Sequence, residues 1–578
     1  RLIEEQGKLT EELREKILAA RRPVEIDDIY RPFRPKRRTR ASMARDKGLQ
    51  GLADFVINCA ETESPRLEAE KYLNDDVTSV EDALQGARDI IAELVADDPA
   101  MRQAARDLCR KFALISSKAR DPEKDSVFAM YYDYREPVAR IPSHRILAIN
   151  RGEHEEILKV GLELDPEPII NRLNRSYARP GEAGTQIQLA ITDSWQRLLA
   201  PAIERDIRSE LTELAHEQAI QVFSKNLRSL LLQAPVKGKV MLGIDPAYRT
   251  GCKWAVIDET GLVKEIGVFY PTPPRSDIEG TEKVMARLVE KYHIDAIAIG
   301  NGTASRETEQ VVAAFIKKAN APHLAYTIVN EAGASVYSAS ELAAREFPDL
   351  DVSERSAISI ARRIQDPLAE LVKIEPKSIG VGQYQHDIAP KRLNESLTGV
   401  VESAVNYVGV DLNTASASLL SYVAGINATV ASNIVKHREA NGSFGNRRQL
   451  LKVPKLGPKA FEQAAGFLRI SDGDNPFDNT PIHPESYPLT SELLQHIGAN
   501  LNELGSEDLR DKIQTLDLTK SAQELNAGLP TLRDIVDALL RPGRDPREDV
   551  PPPVFRQDVL SLEDIQAGME FEGVVRNV

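Results

Sequence analysis

From Arg1 to Pro235 the hydrophobic positions keep a helical period. Val80, Leu84, Ala87, Ile91 and Leu94 recur at helical spacing behind Ser79-Val80-Glu81-Asp82, which has the form of a capping box. From Asp193 onward Trp195, Leu198, Leu199, Ile203, Ile207, Leu211 and Leu214 make one apolar stripe, and Pro201 predicts a kink or boundary within it. These stripes read as core. One interruption, Arg145 to Asn150 and Glu156 to Leu164 around Arg151-Gly152-Glu153, predicts a small β-hairpin inserted among the helices. At Lys239 the period changes: KVMLGID, KWAVIDETG and LVKEIGVFYP are strand-like runs separated by turns. A helix over Ile278 to Tyr292, a strand over Ala296 to Ile299, a helix over Thr308 to Lys318 and a strand over Tyr326 to Val329 follow. Helical patterning returns from Leu489 to Leu540.

Residues 419–468 repeat one short unit: apolar helix, glycine-containing hairpin, helix. The hairpins are Ala424-Gly425-Ile426-Asn427 and Pro454-Lys455-Leu456-Gly457, and the pattern resembles a tandem helix-hairpin-helix module. Each hairpin opens a helix whose first amides lack intrahelical partners and sit at the positive end of the helix dipole, which suits a phosphate oxygen. The candidate nucleic-acid contacts are Gly425, Asn427, Lys436, Arg438, Arg447, Arg448, Lys455, Gly457 and Lys459, with Lys452 nearby. Asn427 stands where such modules usually carry glycine, and the expectation is that it adopts the left-handed backbone that Asn tolerates. Packing alone is the competing use of such hairpins.

Charge limits how a polyanion could be held. The chain has 578 residues, 74 Lys+Arg against 88 Asp+Glu, and a formal net charge of -14, so attraction must be local. From His386 to Ile470 there are ten Lys/Arg and six Asp/Glu, a local net of +4. Tyr30 to Gly48 is a second basic island, broken by Pro32 and Pro35. Cys59, Cys109 and Cys252 are isolated, which excludes a disulfide framework or cysteine zinc site and fits a reducing cytoplasm. His144, His154 and His216 have no ligand spacing, so no metal and no cofactor are expected. No run approaches the roughly 18 apolar residues of a membrane span. Arg1 in place of Met, and a strand-like run interrupted at Val578, lead to the expectation of a longer natural protein.

The three strand-like runs followed by alternating helices and strands, with Asp245 closing the first, resemble the RNase H-like fold of Holliday-junction resolvases. Gly243-Ile244-Asp245-Pro246 with Arg249-Thr250-Gly251 matches their first motif in part, Ala247 replacing a frequent glycine. Two-metal phosphodiester hydrolysis needs several carboxylates converging on a pair of cations. Asp245, Glu331 and Asp366 are the candidates, whereas Asn301 offers an amide where such nucleases often place an acid. An incomplete set predicts no catalysis by this domain, the three carboxylates being vestigial.

Further segments carry a wider resemblance: PKRRTRASMARDKGL at Pro35 to Leu49, PSHRILAINRGE at Pro142 to Glu153, GIDPAYRTGCKWAVID at Gly243 to Asp258, VGQYQHDI at Val381 to Ile388, LRPGRDPRED at Leu540 to Asp549 and GMEFEGVVRNV at Gly568 to Val578. With the order of regions, they identify the chain as similar to the bacterial Tex transcription accessory protein family. The resemblance implies a multidomain, mainly α protein: a helical region at 1–235, an α/β RNase H-like (YqgF, RuvC-like) domain at 236–385, a tandem helix-hairpin-helix module at 386–475, a helical domain at 476–550, and a linker with the start of an S1 OB-fold at 551–578. It implies a monomeric protein that binds RNA or DNA through phosphates, works beside the transcription machinery and performs no chemical step. A metal-dependent structure-specific nuclease and a protein-interaction scaffold are the alternatives. Gly380, Gly382, Gln383 and Tyr384 read as a flexible connector, and Pro551-Pro552-Pro553 as a stiff link to a mobile C-terminal module.

Overall fold

The structure is a computed structural model and describes residues 2–20, 23–34, 38–60, 63–319 and 323–557. Part of the basic island (Pro35, Lys36, Arg37) and the S1-like segment Gly568 to Val578 lie outside the described residues. The chain divides into two compact units, Arg1–Ala219 and Ile220–Val578.

The first unit packs around α1 (Val80–Asp97), which starts where Ser79 Oγ accepts from the Asp82 amide. Leu84, Ala87, Ile90, Ile91 and Val95 are buried, while Leu94 faces outward at 41% exposure. In α2 (Pro99–Phe112) the buried Arg102 and Arg106 both pair with Asp28 and Asp206, tying the N-terminal residues to this core. The small sheet has three antiparallel strands, β1 (Leu114–Ala119), β2 (Asp133–Pro137) and β3 (Leu158–Glu163), in the order β2-β1-β3.

The predicted strand at Arg145 to Asn150 is instead part of α3 (Ser143–His154). Ile146 to Ile149 are all buried, and a short continuous apolar run cannot separate a buried strand from a buried helix. The true partner of β3 is β1, whose Leu-Ile-Ser-Ser-Lys-Ala has no alternation to betray it. Its buried Ser117 is satisfied by donating to the Tyr131 carbonyl at 2.6 Å.

At Pro201 the expected irregularity is a π-helical turn, Ser194–Leu199, leading into α4 (Ala200–Leu231). Proline has no N–H for the carbonyl four residues back, and the widened turn closes instead through the Ala200 amide on the Trp195 carbonyl. Leu214 departs from the predicted stripe and is 60% exposed.

The second unit begins with a five-stranded mixed sheet of order β6-β5-β4-β7-β8. β4 (Met241–Asp245), β5 (Cys252–Ile257) and β6 (Val263–Phe269) are antiparallel, and β7 (Ala296–Gly300) and β8 (Ala325–Val329) continue parallel to β4. Helices α5 (Ile278–Tyr292) and α6 (Ser305–Ala319) bury Met285, Leu288, Val312, Phe315 and Ile316 against Leu242, Ile244, Trp254 and Ile299 on one face. On the other, α7 (Val352–Gln365) packs Ala357, Ile360, Ala361 and Ile364 on Met241, Ala255, Ile257 and Ala298. The approach is close enough that a Cβ on Gly243 would stand 2.3 Å from the Ala357 carbonyl oxygen.

The segment read as a flexible connector is pinned. Buried Gln385 accepts from the Val381 amide and donates to the Lys377 and Ile379 carbonyls, and a Cβ on Gly382 would meet the Phe223 ring at 1.8 Å. Gly382 serves close packing rather than freedom. Then α8 (Pro390–Val408) leads into α9 (Ala417–Leu420), α10 (Ala428–Asn441), the 3-10 turn Arg447–Lys452 and α11 (Pro458–Ala464). Short parallel strands β9 (Val410–Asp411) and β10 (Leu468–Arg469) clasp this module at its base. A separate apolar cluster from Phe477 to Leu539 includes α12 (Leu529–Leu540).

Candidate nucleic-acid interface

The second hairpin repeats the first, and the backbone follows the repeat. Leu420 and Leu450, Val423 and Val453, and Ile426 and Leu456 are buried pairs. The Ile426 amide donates to the Val423 carbonyl at 3.0 Å, as the Leu456 amide does to Val453 at 3.2 Å. Gly425 (φ +81°) corresponds to Lys455 (φ +68°), so the left-handed position is glycine in one hairpin and lysine in the other. A side chain is possible at 455 but not at 425, where a Cβ would stand 2.8 Å from Gln463 Cβ and 3.0 Å from the Ala460 carbonyl oxygen. The first hairpin therefore lies against α11. Reciprocally, Asn433 Nδ2 on α10 donates to the Pro454 carbonyl of the second hairpin at 2.8 Å.

Asn427 does not take the left-handed backbone expected of it. It is extended (φ -91°), as is its counterpart Gly457 (φ -87°), and both are N-caps. The Asn427 side chain accepts from the Val430 amide at 3.0 Å, satisfying one free donor of α10. Gly457 has no side chain to do this for α11, and Pro458 has no N–H. The second hairpin thus presents first-turn amides without a side-chain cap, with the exposed Lys455 and Lys459 beside them.

The candidate cations divide. Lys436, Arg448, Lys452, Lys455 and Lys459 are exposed. Arg438 is half-buried and spends one terminal nitrogen on the Leu412 and Ala415 carbonyls at 3.0 and 3.1 Å. Arg447 contradicts its assignment as a ligand contact, being 1% exposed. It donates to the Leu468, Ile482 and Thr480 carbonyls at 2.7, 2.8 and 2.6 Å and to the Tyr487 hydroxyl at 2.7 Å. Arg447 joins the hairpin module to the helical domain after it. Burial pushes its guanidinium below the usual arginine range.

The carboxylates of the RNase H-like domain divide as well. Asp245 ends β4 and accepts from Ser356 on α7, and its carboxyl is pushed up to about 6 by burial, with the Glu331 charge adding. Glu331 follows β8 and lies over two glycines: a Cβ on Gly300 or Gly302 would come within 2.5 or 1.8 Å of its carboxylate oxygens. Burial raises Glu331 too, opposed by the Gly302 amide and by the charge of Arg363. Asn301 has a structural use of its own, since its Oδ1 accepts from the Glu331 amide at 3.1 Å and holds that loop.

Asp366 does not join them. It follows α7, ten residues or roughly 15 Å of helix beyond Ser356. There it caps helix Pro367–Leu371 and pairs with Arg547 at 2.7 Å. Two residues that the sequence reading missed lie on the inner face of α7. Ser356 bonds Asp245, and the buried Arg363 donates to the Asn330 and Ala332 carbonyls on either side of Glu331 at 2.7 and 2.9 Å. Their spacing of seven, two helical turns, was the available signal. Among the described residues no group of three or more His, Cys, Asp or Glu is arranged to hold a metal ion, and no helix is long and apolar enough to cross a membrane.

Comparison with known proteins covers the same regions. Residues 239–365 match the family described as Tex protein YqgF-like domain, 60–223 Tex central region-like, 405–469 Helix-hairpin-helix motif and 475–547 HHH domain. The chain is 46% identical to Protein tex of Bordetella pertussis, over all of this chain and 75% of that protein. It is 44% identical to Transcriptional accessory protein Tex of Neisseria gonorrhoeae, over all of this chain and 76% of that one. With the human S1 RNA-binding domain-containing protein 1 it shares 37% identity, over all of this chain and 65% of the relative.

Proposed function

The chain belongs to the Tex family, and from that premise we propose that it is a nucleic-acid-binding transcription accessory protein that grips phosphates without reading bases and carries out no chemical step. The observation that supports this most is the second hairpin, where the α11 amides without a side-chain cap and the exposed Lys455 and Lys459 share one end of the module. Backbone amides and lysines address groups that every sequence shares, so they give affinity and register but little specificity. The helix-hairpin-helix matches and the accessory-protein names of relatives support nucleic acid as the ligand.

Multivalency completes the proposal. Each hairpin contributes few phosphate contacts, and a further module of the S1 kind, named in the human relative, adds its own through effective concentration. The absence of catalysis is supported by Asp366 being engaged by Arg547 and by Arg363 already supplying positive charge beside Glu331. Two remaining carboxylates neutralise a metal pair poorly.

The experiment titrates matched single-stranded RNA, single-stranded DNA and duplex DNA of unrelated sequences, and incubates the same substrates and four-way junctions with Mg²⁺ or Mn²⁺. Binding indifferent to sequence and no cleavage are expected. Metal-dependent cleavage lost in Asp245→Asn would make the protein a nuclease, and no binding to any of them would leave the scaffold reading.

A further inference from the structure

One of the two edge strands of the RNase H-like sheet is β8, and it is not bare. After three prolines, which have no N–H to offer an edge strand, the chain turns back onto it. The Tyr326 amide donates to the Arg556 carbonyl and the Arg556 amide to the Tyr326 carbonyl, both at 2.8 Å, the reciprocal pair of an antiparallel bridge. Side chains alternate as a strand requires. Phe555 packs against the apolar cluster on the α7 face, a cluster that includes Met241, Val329 and Ile358. Arg556, on the opposite face, reaches Glu309 at 3.6 Å, the same carboxylate oxygen that accepts from the Tyr326 hydroxyl at 3.0 Å. Gln557 Nε2 donates to the Leu324 carbonyl at 3.4 Å.

We propose that the β8 edge is the docking surface for residues 554–557, a sixth strand in miniature, and that the RNase H-like domain uses it to fix where the following chain leaves the body. This deepens the multivalent reading and rests on it for its biological purpose. The bridge itself stands on the geometry alone. A domain with an incomplete carboxylate set thereby acquires a positive role: it sets the reach of the next nucleic-acid-binding module.

The effect on reach is calculable from the maximum extension of a chain, about 3.5 Å per residue. With the bridge in place Gln557 is the anchor, and Gly568 stays within roughly 39 Å of it. Without the bridge the next anchored residue is Arg547, buried between Asp366 and Asp545. The limit for Gly568 then rises to roughly 74 Å. The accessible volume grows up to about sevenfold on release, and effective concentration falls accordingly. Covering β8 also removes an exposed strand edge that could pair with another copy.

The test uses the full chain with spin labels on His323→Cys, an exposed position two residues before β8, and Gly568→Cys, the native cysteines being buried. Pulsed dipolar distances are compared in the wild-type background, in Arg556→Pro, which removes one bridge donor, and in Phe555→Ala, which removes the apolar anchor. Hydrogen exchange at the Arg556 amide is followed in parallel. The expected result is a protected amide in the wild-type background and a distribution confined to the roughly 39 Å reach from Gln557, widened only by the offset between residues 323 and 557 and by the two label arms. Both variants should extend to longer distances. Matching distributions in all three, or an Arg556 amide exchanging as freely as an unstructured one, would overturn the proposal. None of these readouts needs nucleic acid, so a failure of the binding reading would appear separately in the titrations.

Discussion

Burial and the neighbouring Glu331 charge hold the Asp245 carboxyl at about 6 against an ordinary 3.8, so its ionised form is disfavoured in the folded chain. Below about pH 4 the group is protonated in folded and unfolded chains alike and does not affect stability. Between about 4 and 6 the unfolded chain gives up its proton first, so stability falls as pH rises. The deficit reaches up to about 3 kcal/mol once the folded group also ionises. Asp245→Asn keeps an acceptor for Ser356 and has no charge to desolvate. It is expected to unfold at higher denaturant concentration than wild type at pH 7.5, with the advantage fading as pH drops through 6 towards 4. An advantage of the same size at pH 3.5 would mean that a buried charge is not its source. The sequence showed Asp245 at a strand end, but it could not show Arg363 beside Glu331. That arginine belongs to a helix later in the chain, and only the fold of α7 across β4 and β8 brings it back.

At the scale of elements, Arg447 shows where sequence reasoning by composition goes astray. Within a basic island it looks like one more phosphate contact. Its neighbour Arg448 is exposed, and nothing in the local pattern distinguishes the two. What separates them is the 3-10 turn Arg447–Lys452, which turns Arg447 toward the carbonyls of Leu468, Thr480 and Ile482. Arg447→Met has similar bulk but leaves those acceptors buried without their donor. It is expected to destabilise the second unit by about 3 kcal/mol or more, with the loss of amide protection concentrated between Leu468 and Tyr487. A loss under about 1 kcal/mol in denaturant titration would show that water replaces the guanidinium without penalty.

The same scale explains the other departures. The strands of the five-stranded sheet were legible because apolar runs there are short and bounded by turns. The α3 helix was not, because its fully buried face erased the period. Asn427 lies in the expected hairpin but is extended rather than left-handed. Aligning the two hairpins resolves it: the position that repeats the left-handed Gly425 is Lys455, and Asn427 repeats the N-cap Gly457.

Across the whole molecule, a net charge of -14 coexists with the proposed phosphate-gripping module. The two are compatible because screening confines each exposed charge to about 10 Å at 0.1 M salt, so five exposed cations around two hairpins act on what touches them while the acidic remainder acts little. The order of regions and the hairpin repeat could be read from the sequence. The linker bridge on β8 could not, because Val554-Phe555-Arg556-Gln557 is too short to carry a period and its partner, Tyr326, lies in a distant part of the chain.

The central claim, that the hairpins hold nucleic acid by its phosphates, is tested most directly by the salt dependence of binding. The full chain and its Lys455→Ala/Lys459→Ala variant are titrated with two unrelated single-stranded sequences and one duplex across a range of salt concentrations. Each phosphate neutralised contributes roughly 0.7 to 0.9 to the slope of log K against log salt. The account predicts that the variant binds all three ligands more weakly by a similar factor and loses between one and two units of slope. An unchanged slope, or a loss confined to one sequence, would contradict it.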